Sequence, residues 1–354
     1  MKRRKTILYK AGLDTLYYTG VHRALRPFTA GRGVIFTLHQ VRPEPPGDFA
    51  PNRILSVTPE FLEAVITRSR AAGLDIVDLD EAVARLRAET ADRRFACLTL
   101  DDGYLDNLEH AFPVLERHQV PATIYIATCM PDGTASFWWF ALEKAIAEAP
   151  SLHLPDRLAG TLDRESLACA DIEEKYAAYE AVYWQLRALG EEERLAAAAA
   201  IAENAGFAMS DLMHGLSMSW DQIAGLAGGP LISLGAHSVS HPPLAHLSQS
   251  AAEYEIAESR RRIAEMTGVR TRHFAYPFGD ADSCGPREFA FVERLGFETG
   301  VTTRPGMLFP DHMEHLAALP RVSLNGDYQS LHYLDLYLSG APFALFNRFR
   351  KIAA

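Results

Sequence analysis

Eight short apolar runs, separated in most places by segments of helical periodicity, restrict this sequence to a small set of folds. The runs are Gly33–Leu38, Asp75–Val77, Phe95–Leu100, Pro121–Ala127, Leu231–Ala236, His273–Tyr276, Glu298–Thr303 and Arg321–Leu324. Each has the length and β-leaning composition of a strand. Helical patterns fall at Pro59–Ala72, Leu79–Ala88, Asp106–His118, Ser248–Met266 and Arg287–Leu295. The first opens with Thr58-Pro59-Glu60, an N-cap followed by proline at the first helical position. Strands alternating with helices favour a parallel α/β fold, either open or closed into a barrel.

Residues 134–218 break this rhythm. They hold Phe137-Trp138-Trp139-Phe140, acidic helical segments and the run Ala196–Ala200, with no convincing strand. They read as a helical insertion beside the main domain or over its mouth. Trp138 and Trp139 are candidates for a sugar-stacking wall, since aromatic faces pack on pyranose C–H faces; the competing reading makes them the insertion's own anchor. The expected division is an N-terminal extension at 1–30, barrel segments at 31–133 and 219–326 around the insertion, and a helical tail at 327–354. Within that tail, Leu331–Phe349 reads as a packing helix or a membrane-surface helix.

The chain has 354 residues and a formal net charge of -10, which disfavours nucleic acid as a partner. The four cysteines, Cys97, Cys129, Cys169 and Cys284, form no CxxC pair and read as buried free thiols in a reducing compartment. The basic start Met1-Lys2-Arg3-Arg4-Lys5 lacks an adequate apolar segment after it for an export signal. No apolar run is long enough to span a bilayer. The expected location is the cytoplasm or the inner membrane surface, with the start a frayed terminus or a contact to anionic lipid. The oligomeric state is left open.

Chemistry concentrates where apolar runs end. Asp101 and Asp102 follow Phe95–Leu100 directly, and Gly103 follows them. Two adjacent buried carboxylates are expensive unless a cation or a proton-transfer role accompanies them. His237 and His241 follow Leu231–Ala236 at i,i+4 spacing, which on a helical turn would aim both imidazoles at one ion. Asp102 as third ligand would complete a two-imidazole, one-carboxylate set with open positions, the pattern of a catalytic zinc or related divalent site. In Phe274-Ala275-Tyr276-Pro277-Phe278-Gly279 the proline and glycine dictate a sharp exit from a strand, leaving the Phe278 N–H to point outward; it reads as a turn alone or as one that offers a donor to an oxyanion.

These segments resemble the polysaccharide deacetylase family, also called the NodB-homology or carbohydrate esterase 4 family. Thr99-Leu100-Asp101-Asp102-Gly103 is similar to its T-F-D-D-G motif, with Leu100 departing from phenylalanine. His237-Ser238-Val239-Ser240-His241-Pro242 resembles H-[ST]-x-x-H-P, Ala275–Gly279 resembles the third motif, and Leu319-Pro320-Arg321-Val322 a late segment of one branch. The order agrees, and the resemblance covers roughly 33–130 and 219–325. It implies a distorted (β/α) barrel and a divalent metal, commonly zinc, with an N-acetylated sugar as substrate. It further implies Asp101 as general base, Asp102, His237 and His241 as metal ligands, and Phe278 as oxyanion donor. Tyr276 reads either as a wall of the acetyl pocket or as core.

Two departures matter. The position where the family often has a base-orienting arginine is Ala275, and Arg321 is the candidate substitute. The family's late Leu-x-His histidine has no clear match; His332 falls after the last strand. His39, at the end of Gly33–Leu38, resembles the histidine of a permuted branch and is the candidate general acid, with a backbone-bonded strand-end histidine as the plainer reading. His246, His312 and His315 read as exposed.

The expected function is a metal-dependent hydrolase that removes N-acetyl groups from an amino sugar: a chitooligosaccharide, a polysaccharide repeat or a linked sugar precursor. Rival readings are a hydrolase of a non-sugar amide or cyclic imide on the same fold, and a non-catalytic carbohydrate-binding scaffold.

Overall fold

The computed structural model describes residues 2–44, 47–88 and 93–352. Eight parallel strands form the centre: β1 (Gly33–Leu38), β2 (Leu74–Ile76), β3 (Arg94–Leu100), β4 (Ala122–Ile126), β5 (Ile232–Ala236), β6 (His273–Ala275), β7 (Thr299–Pro305) and β8 (Leu319–Ser323). Because β1 pairs with both β3 and β8, the sheet closes in the order β1-β8-β7-β6-β5-β4-β3, a seven-stranded parallel barrel. The eighth strand, β2, shares one edge of β3 with β4. It pairs with Arg94–Ala96, and β4 takes over at Thr99 and Leu100. That handover and a register shift between β7 and β8 distort the barrel.

Strand periodicity sorts the side chains. Ile35, Cys97, Tyr125, Ala275, Val301 and Leu319 point into the barrel and pack together. Their neighbours, among them Phe36, Leu98, Ile124, Leu234, Phe274 and Val322, point outward under the helices. Each fully buried large aliphatic or aromatic side chain in that outer layer contributes roughly 1.5–3 kcal/mol relative to exposure. The covering helices include Pro59–Ala71, Leu79–Arg87, Gln249–Thr267 and Pro286–Arg294. Thr58 caps the first, its hydroxyl oxygen accepting from the Phe61 N–H at 3.1 Å. The helix expected to start at Asp106 opens instead with a π-helical segment, Asn107–Ala111, before an α-helix over Phe112–His118.

Residues 134–218 form a mainly helical unit with its own core, built on Trp138, Leu142, Ile146, Val182, Leu186 and Ile201. The alanine run lies in the helix Glu191–Asn204, with Ala197 and Ala198 buried. The expectation of no strand here is corrected. Ser151–His153 and Ser166–Ala168 form a small antiparallel pair, each strand too short to show alternation.

Two helices, Lys2–Tyr18 and Val21–Thr29, precede the barrel and pack against a C-terminal helix, Leu331–Ser339, which a second, Ala341–Phe346, follows. The basic start at Met1–Lys5 lies outside the residues whose side chains are described. All four cysteines are buried and free. His312, expected to be exposed, is buried with its ring against the Phe309 backbone, and burial pushes its pKa down to about 4. No helix among the described residues is long and apolar enough to cross a membrane.

Gly235 shows how full the barrel is. A Cβ there would come within 2.2 Å of the buried Tyr125 ring. Gly235→Ala is expected to destabilise the fold by about 1–3 kcal/mol through overpacking. A urea unfolding midpoint equal to wild type would contradict this packing.

Candidate active site

Strand parity also builds the site. Thr37 pairs with Thr99 across β1 and β3, and both face inward, so His39 and Asp101, two residues on, emerge together at the barrel mouth. His237 follows Gly235 on the inner face of β5, and Arg321 follows Leu319 on that of β8. Catalytic groups in such barrels gather at these C-terminal strand ends.

Asp101 is buried at the mouth and bound in two places by Arg321: Nη1 donates to Oδ1 and Nη2 to Oδ2, each at 2.7 Å. Arg321 is itself fully buried. Its Nε donates to the Thr302 carbonyl at 2.9 Å, and Nη1 also reaches Thr99 Oγ1 at 3.2 Å. Burial would push the Asp101 carboxyl up, but the Arg321 guanidinium, aided by His237, outweighs it and holds the group below the usual carboxylate range. Arg321, the candidate substitute for the motif position that Ala275 occupies, thus reaches Asp101.

Asp102 turns the other way. Its φ of 78° lies in the left-handed region, which is costly for a non-glycine residue. Its Oδ1 lies 3.3 Å from Nε2 of both His237 and His241. This buried oxygen has no well-formed hydrogen bond among the described residues, so it is an orphaned anionic acceptor facing two imidazole nitrogens. His237 Nδ1 sits 2.7 Å from the Ala275 carbonyl, which directs its N–H there and turns Nε2 toward Asp102. Burial pushes the His241 pKa down to about 4, leaving that ring neutral. For His237 burial also opposes charge, but the contact with Asp102 prevails and raises its pKa. A neutral imidazole, an imidazole oriented by a backbone carbonyl and an orphaned carboxylate oxygen fit a divalent cation.

The histidine pair does not ride on a helical turn, as its spacing suggested. Residues 237–241 form a loop in which Ser238 and His241 have φ of 64° and 60°. The buried Glu255 carboxylate holds it, accepting from the Val239 and Ser240 N–H groups at 2.8 and 2.9 Å and from the Ser240 hydroxyl at 2.7 Å. Ser238 Oγ accepts from the His241 N–H at 3.0 Å. Glu255 lies within a regular helical pattern and carries no sequence signal for this role.

The Phe278 turn is formed as its sequence implied. Phe278 and Gly279 have φ of 60° and 66°, and a Cβ on Gly279 would come within 2.6 Å of the Thr303 nitrogen. No described residue accepts a hydrogen bond from the Phe278 N–H. The Phe278 ring is partly exposed, 5.0 Å from the His241 ring.

The other candidates divide. His39 is half-buried and close enough to both acids for its charge to bear on them; its carbonyl accepts from Asn107 Nδ2 at 2.8 Å, in the π-helical turn. Tyr276 does not line the pocket. It faces outward under the helices, and its hydroxyl donates to the Ala317 carbonyl at 2.8 Å. Parity explains this correction, because Ala275 takes the inward position. Trp138 is buried in the insertion's core and offers no stacking face. Trp139 is half-buried and stacks on Phe137, whose ring meets the His241 ring at 5.1 Å. Phe137, not singled out from sequence, thus carries the insertion to the site. His332 lies on the C-terminal helix and contacts Asp14 instead.

A second group of potential ligands, Asp80, His273 and Glu298, sits at the opposite, N-terminal end of the barrel. There the Arg272 guanidinium pairs with both carboxylates, making an ion-pair network.

Removing the Arg321 charge tests the central pair. Arg321→Met is expected to destabilise the fold by about 3–5 kcal/mol, since Asp101 would stay buried without its partner. Restoration of stability in Arg321→Met/Asp101→Leu would confirm the origin of the loss; equal stability of Arg321→Met and wild type in urea would refute it.

Comparisons with known proteins place this geometry. The family model described as polysaccharide deacetylase matches residues 179–290, which include the histidine pair and the Phe278 turn. Among solved structures, a Streptococcus pyogenes deacetylase, PplD, in complex with acetate aligns at 15% identity and a TM-score of 0.56, covering 86% of this chain and 97% of that one. BC0361, a polysaccharide deacetylase from Bacillus cereus, aligns at 14% identity and a TM-score of 0.53, covering 86% and 68%. IcaB from Ammonifex degensii aligns at 18% identity and a TM-score of 0.50, covering 87% and 97%. At these identities the structures show the shared fold, and the family match supports a deacetylase. Comparison with curated proteins returned no match.

Proposed function

From the polysaccharide deacetylase match as premise, we propose that this chain is a metal-dependent hydrolase that removes acetyl groups from the nitrogen of an amino sugar within a glycan. The observation that carries the reading is a buried ionised carboxylate, Asp101, clamped by Arg321 beside the cation-ready set Asp102, His237 and His241. A divalent ion held by that set would supply Lewis-acid polarisation of the acetyl carbonyl.

The chain's own groups account for the proton movements. Asp101 accepts a proton from the attacking water. Arg321 occupies one lone pair on each carboxylate oxygen and the Thr37 hydroxyl donates to Oδ2 at 3.4 Å, so the second lone pair of Oδ1 stays available. The water oxygen bonds to the acetyl carbon, and the Phe278 N–H donates to the oxygen that gains charge. The C–N bond then breaks, His39 delivers a proton to the departing amine, and acetate leaves. Splitting roles between adjacent acids keeps Asp101 off the cation and free for proton transfer. The partly exposed Phe278 ring beside His241 suits the C–H face of a sugar.

The test is acetate release from N-acetylglucosamine oligomers by metal-loaded and chelated protein, and absence of release from every N-acetylated glycan tried would overturn the proposal. Asp101→Asn is expected to keep its metal, measured by elemental analysis, and to lose about 10²–10⁴-fold in kcat. Near-normal turnover would remove Asp101 from the base role. His39→Ala should also lower kcat strongly with metal content unchanged; loss of metal in that variant would make His39 a ligand instead.

A further inference from the structure

The helix Lys2–Tyr18 has two unlike sides. On one, Leu13, Leu16 and Tyr17 pack against the core, Asp14 contacts His332, and the Lys10 ammonium lies 5.4 Å from the Tyr328 ring centre. On the other, every exposed position from Ile7 to Thr19 is uncharged. Ile7, Leu8, Tyr9 and Tyr18 are among them, at 61%, 75%, 61% and 77% exposure. A helix facing only water normally carries charge on that side.

Charge is instead gathered at the helix's start. Residues 1–30 contain seven Lys/Arg and one Asp, while the other 324 residues contain 28 Lys/Arg and 44 Asp/Glu. A basic, aromatic-flanked apolar helix on an otherwise acidic body complements a negatively charged apolar surface. Its length does not suit a membrane span, and Lys10 and Asp14 interrupt it.

We propose that the helix Lys2–Tyr18 docks on the surface of an anionic lipid bilayer, with Ile7, Leu8 and Tyr18 among the headgroups and the Lys/Arg cluster at residues 2–5 on lipid phosphates. The inference stands apart from the chemistry of the site.

The experiment is co-sedimentation of the full chain with vesicles of phosphatidylcholine and phosphatidylglycerol, against vesicles of phosphatidylcholine alone, at low and high salt. Binding is expected on the anionic vesicles and should weaken with salt. Ile7→Glu/Leu8→Glu should reduce it about tenfold or more, because both side chains would lose their apolar burial. K2S/R3S/R4S/K5S should reduce it and abolish its salt dependence. Ile7 and Leu8 are exposed, and an unchanged thermal midpoint of each variant shows that it is folded. No binding to anionic vesicles, equal binding to neutral ones, or binding untouched by both variants would overturn the proposal. So would a wild-type dimer in sedimentation velocity that Ile7→Glu/Leu8→Glu dissociates, since a second copy would then be the occupant.

Discussion

Two adjacent carboxylates buried at the end of one strand set the terms for the rest of this molecule. Neither can be desolvated alone without a large cost. The barrel answers each separately. Arg321 comes from the strand on the far side of β1 and binds both oxygens of Asp101, while His237 and His241 face Asp102 from β5. The two carboxylates are therefore met in different chemical ways. A permanently cationic guanidinium keeps Asp101 ionised but does not consume all its lone pairs. The two imidazoles leave Asp102 Oδ1 without a well-formed hydrogen bond among the described residues, in a donor set that suits a divalent cation.

This division is held by local backbone strain on a rigid support. Asp102, Ser238, His241 and Phe278 all adopt positive φ without being glycine. Each costs on the order of 1–3 kcal/mol and persists only where surroundings over-determine it. The surroundings are visible. Glu255 ties the histidine loop with three hydrogen bonds, and the Thr303 hydroxyl donates to the Phe278 carbonyl at 2.6 Å. The left-handed turn at Asp102 also breaks the strand alternation, letting two consecutive side chains serve one mouth.

The additions to the barrel follow a different logic. The insertion folds around its own apolar core and meets the rest of the chain through a cluster that includes Tyr104, Met130, Phe137, Phe140 and Met213, and through Asn52, which bonds to Trp139 and Tyr179. The terminal helices pack on one another and on the barrel flank, and their unburied face is a matter of surface chemistry alone.

Much of this was legible in the residues. Apolar runs placed all eight strands within a few residues, because burial and β-leaning composition coincide there. Strand ends located Asp101, Asp102, His39, His237 and Phe278, and alternation alone would have turned Tyr276 away from the pocket. Arg321 could be suspected because Ala275 left a gap, but its partner 220 residues away is a product of barrel closure. Glu255, Asn107 and Phe137 sit in ordinary helical or apolar patterns, and no spacing rule marks them. The sequence by itself determined which groups stand at the rim, since strand period and strand end are local properties. Only the tertiary structure decided which of them meet, which buried charge each neutralises and which loops are pulled into left-handed turns, because those depend on register and closure among strands far apart in the chain.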